Sequence, residues 1–146
     1  MTATHTAAEN LVHALLETAM TLERRFDGAL SVLRGISFSE YRLLRSLSLM
    51  HGHTATRVDL AASVGLTPSA VSRALKPLEK IGCVTTTKSD RDARRALATL
   101  TPAGLEIVAD AQGIMRDVIV DSPFATLSAG EAERLQMLLD HIRFKQ

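Results

Sequence analysis

The segment Leu60-Ala61-Ala62-Ser63-Val64-Gly65-Leu66-Thr67-Pro68-Ser69-Ala70-Val71-Ser72-Arg73-Ala74-Leu75 constrains this chain more than any other. Two short helical patterns meet across a glycine, at the spacing of a helix-turn-helix. Ala61 is small where a second helix must cross close above the first. Gly65, four residues on, suits the positive φ that a tight turn demands. Leu66 and Val71 are expected to plug the angle between the two helices. Thr67-Pro68 reads as an N-cap and a first helical residue, where proline loses nothing because that N–H is free in any case. The polar positions Thr67, Ser69, Ser72, Arg73 and Lys76 then fall on the outer face, where they can enter a DNA major groove.

The rest of the chain predicts a mainly helical protein around this corner. From Ala8 to Leu33 apolar residues recur at intervals of three and four (Leu11, Leu15, Ala19, Leu22, Phe26, Leu30, Leu33), the stripe of a long helix that Arg34-Gly35 ends. Ser37-Phe38-Ser39-Glu40 is a capping box opening a second helix with Leu43, Leu44, Leu47 and Met50 inward. His51-Gly52-His53 stops it, and Thr56 caps a third helix through Val64. The fourth helix runs to about Ile81, with Val71, Leu75, Leu78 and Ile81 inward and a kink expected at Pro77. Cys83–Thr87 and Ala96–Leu100 read as strands, so the charged stretch Lys88–Arg95 becomes the tip of a β-hairpin. Thr101-Pro102 opens a fifth helix to about Val120, with Leu105, Val108, Ala111, Met115 and Ile119 on one face. Ser128-Ala129-Gly130-Glu131 is a second capping box, before a last helix with Leu135, Leu138, Leu139 and Ile142. The two terminal helices carry more apolar surface than one compact core of 146 residues needs, which points to a partner subunit.

Charge separates along the chain. Residues 1–66 are net neutral, 67–103 carry a net +4, and 104–146 a net −3. A basic third within a chain of net +1 suits a polyanion partner. The basic part is the outer face of the fourth helix together with the hairpin tip Lys88-Ser89-Asp90-Arg91-Asp92-Ala93-Arg94-Arg95. An arginine on a thin hairpin can reach the minor groove, and Asp92 can hold one in position through a charge-assisted bond. Aromatic residues are 3% of the chain, too few for a base-stacking platform for single strands. The longest uncharged run, Leu60–Ser72, is interrupted by Gly65 and Pro68 and is too short to span a membrane. The polar start without an apolar core reads as no signal peptide, and the single Cys83 suits a reduced, cytoplasmic compartment.

The run Leu60–Leu75, then Leu78-Glu79-Lys80-Ile81-Gly82-Cys83-Val84, then Asp92-Ala93-Arg94-Arg95, then Leu100-Thr101-Pro102-Ala103-Gly104, resembles the multiple-antibiotic-resistance regulator (MarR) family of bacterial transcription factors. Element order and length agree across nearly the whole chain. Two departures are Ala93, where arginine is common, and Cys83, where an aliphatic residue is usual. The resemblance implies a winged helix-turn-helix over about 37–101, flanked by dimerisation helices over about 8–34 and 102–146. It implies a homodimeric regulator, most often a repressor, on a palindromic double-stranded operator. Ser69, Ala70, Ser72, Arg73 and Lys76 would face bases or phosphates, joined at the wing by Arg91, Arg94 and Arg95. Arg94 would enter the minor groove, and Asp92 would orient the wing. Phe26, Tyr41 and Arg45 lie where such proteins often form an effector cavity, and Tyr41 and Arg45 share a helix face, which would suit a small aromatic carboxylate or phenol.

Other readings are weaker. The chain has no Gly-rich phosphate loop, nucleophile elbow or metal-ligand cluster, so neither an enzyme nor a cofactor is expected. His51 and His53 lack a third ligand at metal spacing and read as a loop. Cys83 reads as a small buried apolar residue rather than a redox sensor. The alternative is a winged helix that binds only another protein, and the basic outer face and wing tip speak against it.

Overall fold

The computed structural model describes residues 3–88 and 96–143. Helix α1 spans Ala3–Arg34, starting five residues before the apolar stripe does. It ends where Gly35 takes a φ of +67° and donates its N–H to the Ser31 carbonyl. Helix α2 (Phe38–Leu49) opens with the expected capping box: the Glu40 N–H donates to Ser37 Oγ, and the Ser37 N–H donates to Glu40 Oε2 at 2.8 Å. A 3-10 turn at His51–His53 follows, with Gly52 at positive φ. A three-residue strand β1 (Thr54–Thr56) comes next and was not expected. Helix α3 (Arg57–Val64) is capped by Thr56, and helix α4 (Pro68–Lys80) by Thr67. Strands β2 (Val84–Thr87) and β3 (Leu97–Leu100) form the hairpin. Helix α5 (Pro102–Val120) is capped by Thr101, a 3-10 turn spans Pro123–Thr126, and helix α6 (Ala129–Ile142) opens on the Ser128–Glu131 capping box.

The sheet is antiparallel with order β1-β3-β2. Thr54 pairs with Thr99 and Thr56 with Leu97, so the strand that precedes the helix-turn-helix docks on the far edge of the wing. Thr54 Oγ1 reinforces this by donating to the Ala98 carbonyl at 3.1 Å. The core lies between α2, α3, α4, this sheet and the middle of α5. Leu30, Leu43, Leu44, Leu47, Leu60, Val71 and Leu78 are all fully buried there. Burying each such side chain contributes on the order of 1.5–3 kcal/mol.

Several residues expected inward are exposed. Leu33 is on the surface because the last turn of α1 overshoots the core, and Ile36, just beyond the Gly35 reversal, fills that place. Ile81 is 57% exposed for a related reason. It caps α4, Gly82 then turns the chain at φ +77°, and the Gly82 and Cys83 N–H groups donate back to the carbonyls of Glu79 and Leu78. That is a Schellman ending, and it puts Cys83 in the core instead. Leu66 sits in the turn and is 40% exposed, so of the expected pair only Val71 is buried between α3 and α4. Helix α4 continues through Pro77 to Lys80 without interruption.

On α5, Val108 and Ala111 are buried and Met115 is half-buried, while Leu105 and Ile119 lie at the edge. On α6, Leu139 is half-buried and Leu135, Leu138 and Ile142 are exposed in the single chain. Most of the α6 stripe is therefore uncovered by the described residues of the chain.

Candidate nucleic-acid interface

The corner is built as its residues dictate. Gly65 adopts φ +69° and ψ 34°, and its N–H, like that of Leu66, returns to the Ala61 carbonyl. Ala61 is 3% exposed under the crossing helix. Thr67 Oγ1 accepts the Ala70 N–H at 3.2 Å, so Thr67 starts α4 as well as standing at its exposed end. With Val71, Leu75 and Leu78 buried, the opposite face of α4 is left to solvent. Thr67, Ser69, Arg73 and Lys76 are exposed on it, and Ala70 and Ser72 are half-buried at its margin. Ser72 Oγ donates to the Pro68 carbonyl at 3.0 Å, so its proton is already used inside the helix. No acidic side chain lies among these six.

The wing is anchored next to this face. Thr86 Oγ1 donates to Glu79, which ties β2 to the end of α4. Gly104, in the first turn of α5, packs so tightly beneath the wing that an added Cβ would lie 2.3 Å from the Cys83 carbonyl oxygen. Arg91, Asp92, Arg94 and Arg95 lie outside the described residues. The last described residue before them, Lys88, is exposed at the end of β2. A groove of about 700 Å³ runs between α4 and β2, lined by Arg57, Ser72, Lys76, Glu79, Thr86 and Lys88 among others. Arg57, the first residue of α3, had no part in the expected interface; only the docking of β1 on β3 carries it there.

The three residues expected to hold an effector are only partly brought together. Phe26 and Tyr41 are buried and linked through Phe38, a ring the sequence reading missed: centroids lie 5.5 Å apart for Phe26–Phe38 and 6.1 Å for Phe38–Tyr41. Burial raises the Tyr41 pKa above its usual value, and the nearby Arg45 guanidinium pulls in the opposite direction. Arg45 itself is exposed and lines a different groove of about 400 Å³, together with Arg42, Ser46, Leu49, Ser63 and Val64. Phe26 and Tyr41 are not part of that groove. Cys83 is buried, and burial together with the Glu40 carboxylate raises its pKa, so the thiol stays protonated at neutral pH. His53 Nδ1 lies 3.1 Å from the Ser48 carbonyl oxygen. Among the described residues no three potential ligands cluster around a metal position, and no helix is long and apolar enough to cross a membrane.

Comparison with known proteins agrees with this geometry. Residues 36–96 match the sequence profile of the MarR family, from the last residue before the capping box of α2 to the residue just before β3. Sco3205, a MarR family transcriptional regulator from Streptomyces coelicolor solved in complex with DNA, is 25% identical with a TM-score of 0.82, over 97% of this chain and 87% of that one. The transcriptional regulator BldR from Sulfolobus solfataricus is 20% identical with a TM-score of 0.79, over 97% and 98% of the two chains, and shares the fold. A mutant MarR from E. coli, complexed with operator DNA, shares it over 91% and 93% of the two chains at 22% identity and a TM-score of 0.77. Among curated proteins no sequence matches. The family profile thus covers the helix-turn-helix and the first part of the wing, and over nearly its whole length the chain is similar to a winged-helix transcriptional regulator of the MarR family.

Proposed function

We propose that the chain acts in the cytoplasm as a homodimeric transcriptional repressor that binds a palindromic operator in duplex DNA and releases it when a small ligand changes the dimer's geometry. The observation that carries this reading is the exposed face of α4, where Ser69, Arg73 and Lys76 stand at intervals of three and four residues with Ser72 at the margin, and where the acidic Glu79 is engaged by Thr86. That face enters a major groove, with Arg73 and Lys76 reaching guanine edges or phosphates. Thr67 and Ser69 meet the backbone at the helix N-terminus, and Ala70 gives close approach. Arg94 enters the adjoining minor groove, flanked by Arg91 and Arg95 and oriented by Asp92. That Sco3205 and the E. coli MarR mutant were both solved on DNA supports duplex DNA as the partner.

The exposed apolar residues support the dimer. Leu11, Val12, Leu16 and Met20 on α1, Val120 on α5 and Leu138 and Ile142 on α6 are each more than half exposed. An apolar groove of about 540 Å³, lined by Leu11, Leu15, Leu22, Phe124, Leu135 and Leu139, separates α1 from α6. A patch of this kind on a monomer marks an interface. Interlocking of these helices with those of a second copy sets the two α4 helices at half-sites roughly 34–36 Å apart.

A ligand that prefers another spacing weakens binding by shifting that population. An aromatic carboxylate or phenol paired with Arg45, reached by opening the Phe26–Tyr41 cluster, is the proposed class. Because phosphates carry much of the affinity, binding falls steeply with salt.

Gel-shift titration on DNA from just upstream of its own gene, with rising salt and excess non-specific duplex, tests the whole reading. A shift that survives competitor is expected. A folded dimer that shifts no genomic fragment would instead make this a protein-binding winged helix.

A further inference from the structure

The groove between α4 and β2 gathers positive charge from three separate elements. Arg57 comes from the start of α3, Lys76 from α4 and Lys88 from the end of β2. Among the described residues the one acidic group lining it, Glu79, is engaged by the Thr86 hydroxyl. Thr85 and Ser72 add hydroxyls to the wall. Arg57 is half-buried, and its Nε has no hydrogen-bond partner among the described residues. A buried donor of a charged group left unpaired in a folded protein calls for an explanation. No described residue supplies one.

Duplex geometry supplies the explanation. If α4 lies in a major groove and the hairpin tip in the adjoining minor groove, the sugar-phosphate chain dividing those two grooves must pass between α4 and β2. We propose that this groove seats one backbone phosphate, with Arg57 as its principal ligand and Lys76 and Lys88 flanking it. A guanidinium offers a planar fork that matches two phosphate oxygens, and a small turn of the side chain brings Nε into that fork. Arg57 is thus a positioning contact that fixes the register of recognition helix and wing on one strand, without reading sequence. The proposal rests on the DNA-binding reading above and adds to it a residue outside both the recognition helix and the wing.

Fluorescence anisotropy on a labelled random-sequence duplex, between about 50 and 200 mM KCl, tests it with the full-length protein. Each phosphate neutralised contributes about 0.9 to the slope of log K against log salt. Arg57→Gln is expected to reduce the slope by about 0.9 per bound subunit. It should weaken random and upstream duplexes by the same factor. Arg57→Lys should keep the slope near that of the wild type. Lys88→Gln is a second probe that leaves α3 intact and should also reduce the slope. Arg24→Gln, on the exposed face of α1, controls for loss of a remote charge and should leave the slope unchanged. The proposal is overturned if Arg57→Gln and Lys88→Gln, both folded by circular dichroism, keep the wild-type slope while the wild type binds DNA. Wild-type protein with no salt-dependent binding to any duplex would sink the DNA reading, and this proposal with it. Calorimetric saturation by inorganic phosphate that is lost in Arg57→Gln, with the DNA slope unchanged, would make the groove a site for a free anion and would equally overturn the backbone contact.

Discussion

Arg73 shows how position on a helix decides the role of a side chain. Its neighbours two residues away on either side, Val71 and Leu75, are buried, and it is exposed at the centre of the outward face of α4. In the proposed complex it pairs with a guanine edge through two parallel N–H donors. Arg73→Ala is then expected to weaken specific binding by roughly 1–3 kcal/mol while changing random-duplex affinity much less. Competition gel shifts measure both, and equal losses on the two duplexes would make Arg73 a phosphate contact.

Tyr41 illustrates the opposite case, a polar tip drawn into the core. Burial favours its neutral phenol, so the folded state holds the proton more tightly than the unfolded chain, whose phenol titrates near the ordinary value of 10.0. The stabilising contribution is complete below about pH 10 and is lost as pH rises through the raised folded value. Denaturant unfolding at pH 8 and at pH 11 should therefore show a loss in wild type that is smaller in Tyr41→Phe. Tyr41 is the only tyrosine, so phenolate absorbance reports its titration directly. A titration midpoint at or below 10 in the folded protein would contradict the assignment.

At the level of elements, short contacts between backbones set the angles. The Schellman ending at Gly82 swings the chain from α4 into β2, and Thr101 Oγ1 donates to the Gly82 carbonyl at 2.6 Å from the start of α5. Gly104 then lets α5 press against the Cys83 carbonyl and the Leu100 side chain. The approach is to backbone on one side, so a methyl group cannot be absorbed by a flexible side chain. Gly104→Ala should destabilise the fold by about 1–3 kcal/mol, the usual range for overpacking. Thermal unfolding gives the stability, and DNA affinity of the variant below its transition tells whether wing and recognition helix remain aligned. An unchanged melting temperature would mean that α5 shifts freely. By contrast, the Arg34–Asp110 pair that ties the end of α1 to α5 is nearly half exposed and adds little.

The whole molecule divides into a closed half and an open half. Around α2, α3, α4 and the sheet, apolar residues find each other within one chain. Along α1 and α6 they do not: Leu16, Met20, Leu138 and Ile142 are each more than half exposed. Exposure of that extent is costly for a lone subunit and natural for one face of a dimer. Sedimentation equilibrium is expected to give a stable dimer. Leu16→Glu together with Leu138→Glu should shift it to monomer and abolish specific DNA binding, because one subunit offers only one half-site. A double variant that stays dimeric would move the interface elsewhere.

Local chemistry made much of this legible before any tertiary contact was known. Each of the caps Ser37, Thr56, Thr67, Thr101 and Ser128 acts on a backbone N–H three residues away. Gly65 needs only its own φ, so the helix-turn-helix and the outward face of α4 were readable from sequence. Strand β1 was not, because three residues carry no periodicity and become a strand only by pairing with Leu97–Thr99, more than forty positions along the chain. Leu33 and Ile81 continued their helical stripes in sequence but fall where the helices have already left the core, and only the neighbours waiting there, Ile36 and Cys83, decide that. The Phe26–Phe38–Tyr41 cluster and the placing of Arg57 beside Lys76 and Lys88 arise in the same way. A sequence determines what each residue can do within a few positions of itself. Which distant residues share a cavity is fixed by how the elements pack, and that belongs to the tertiary structure alone.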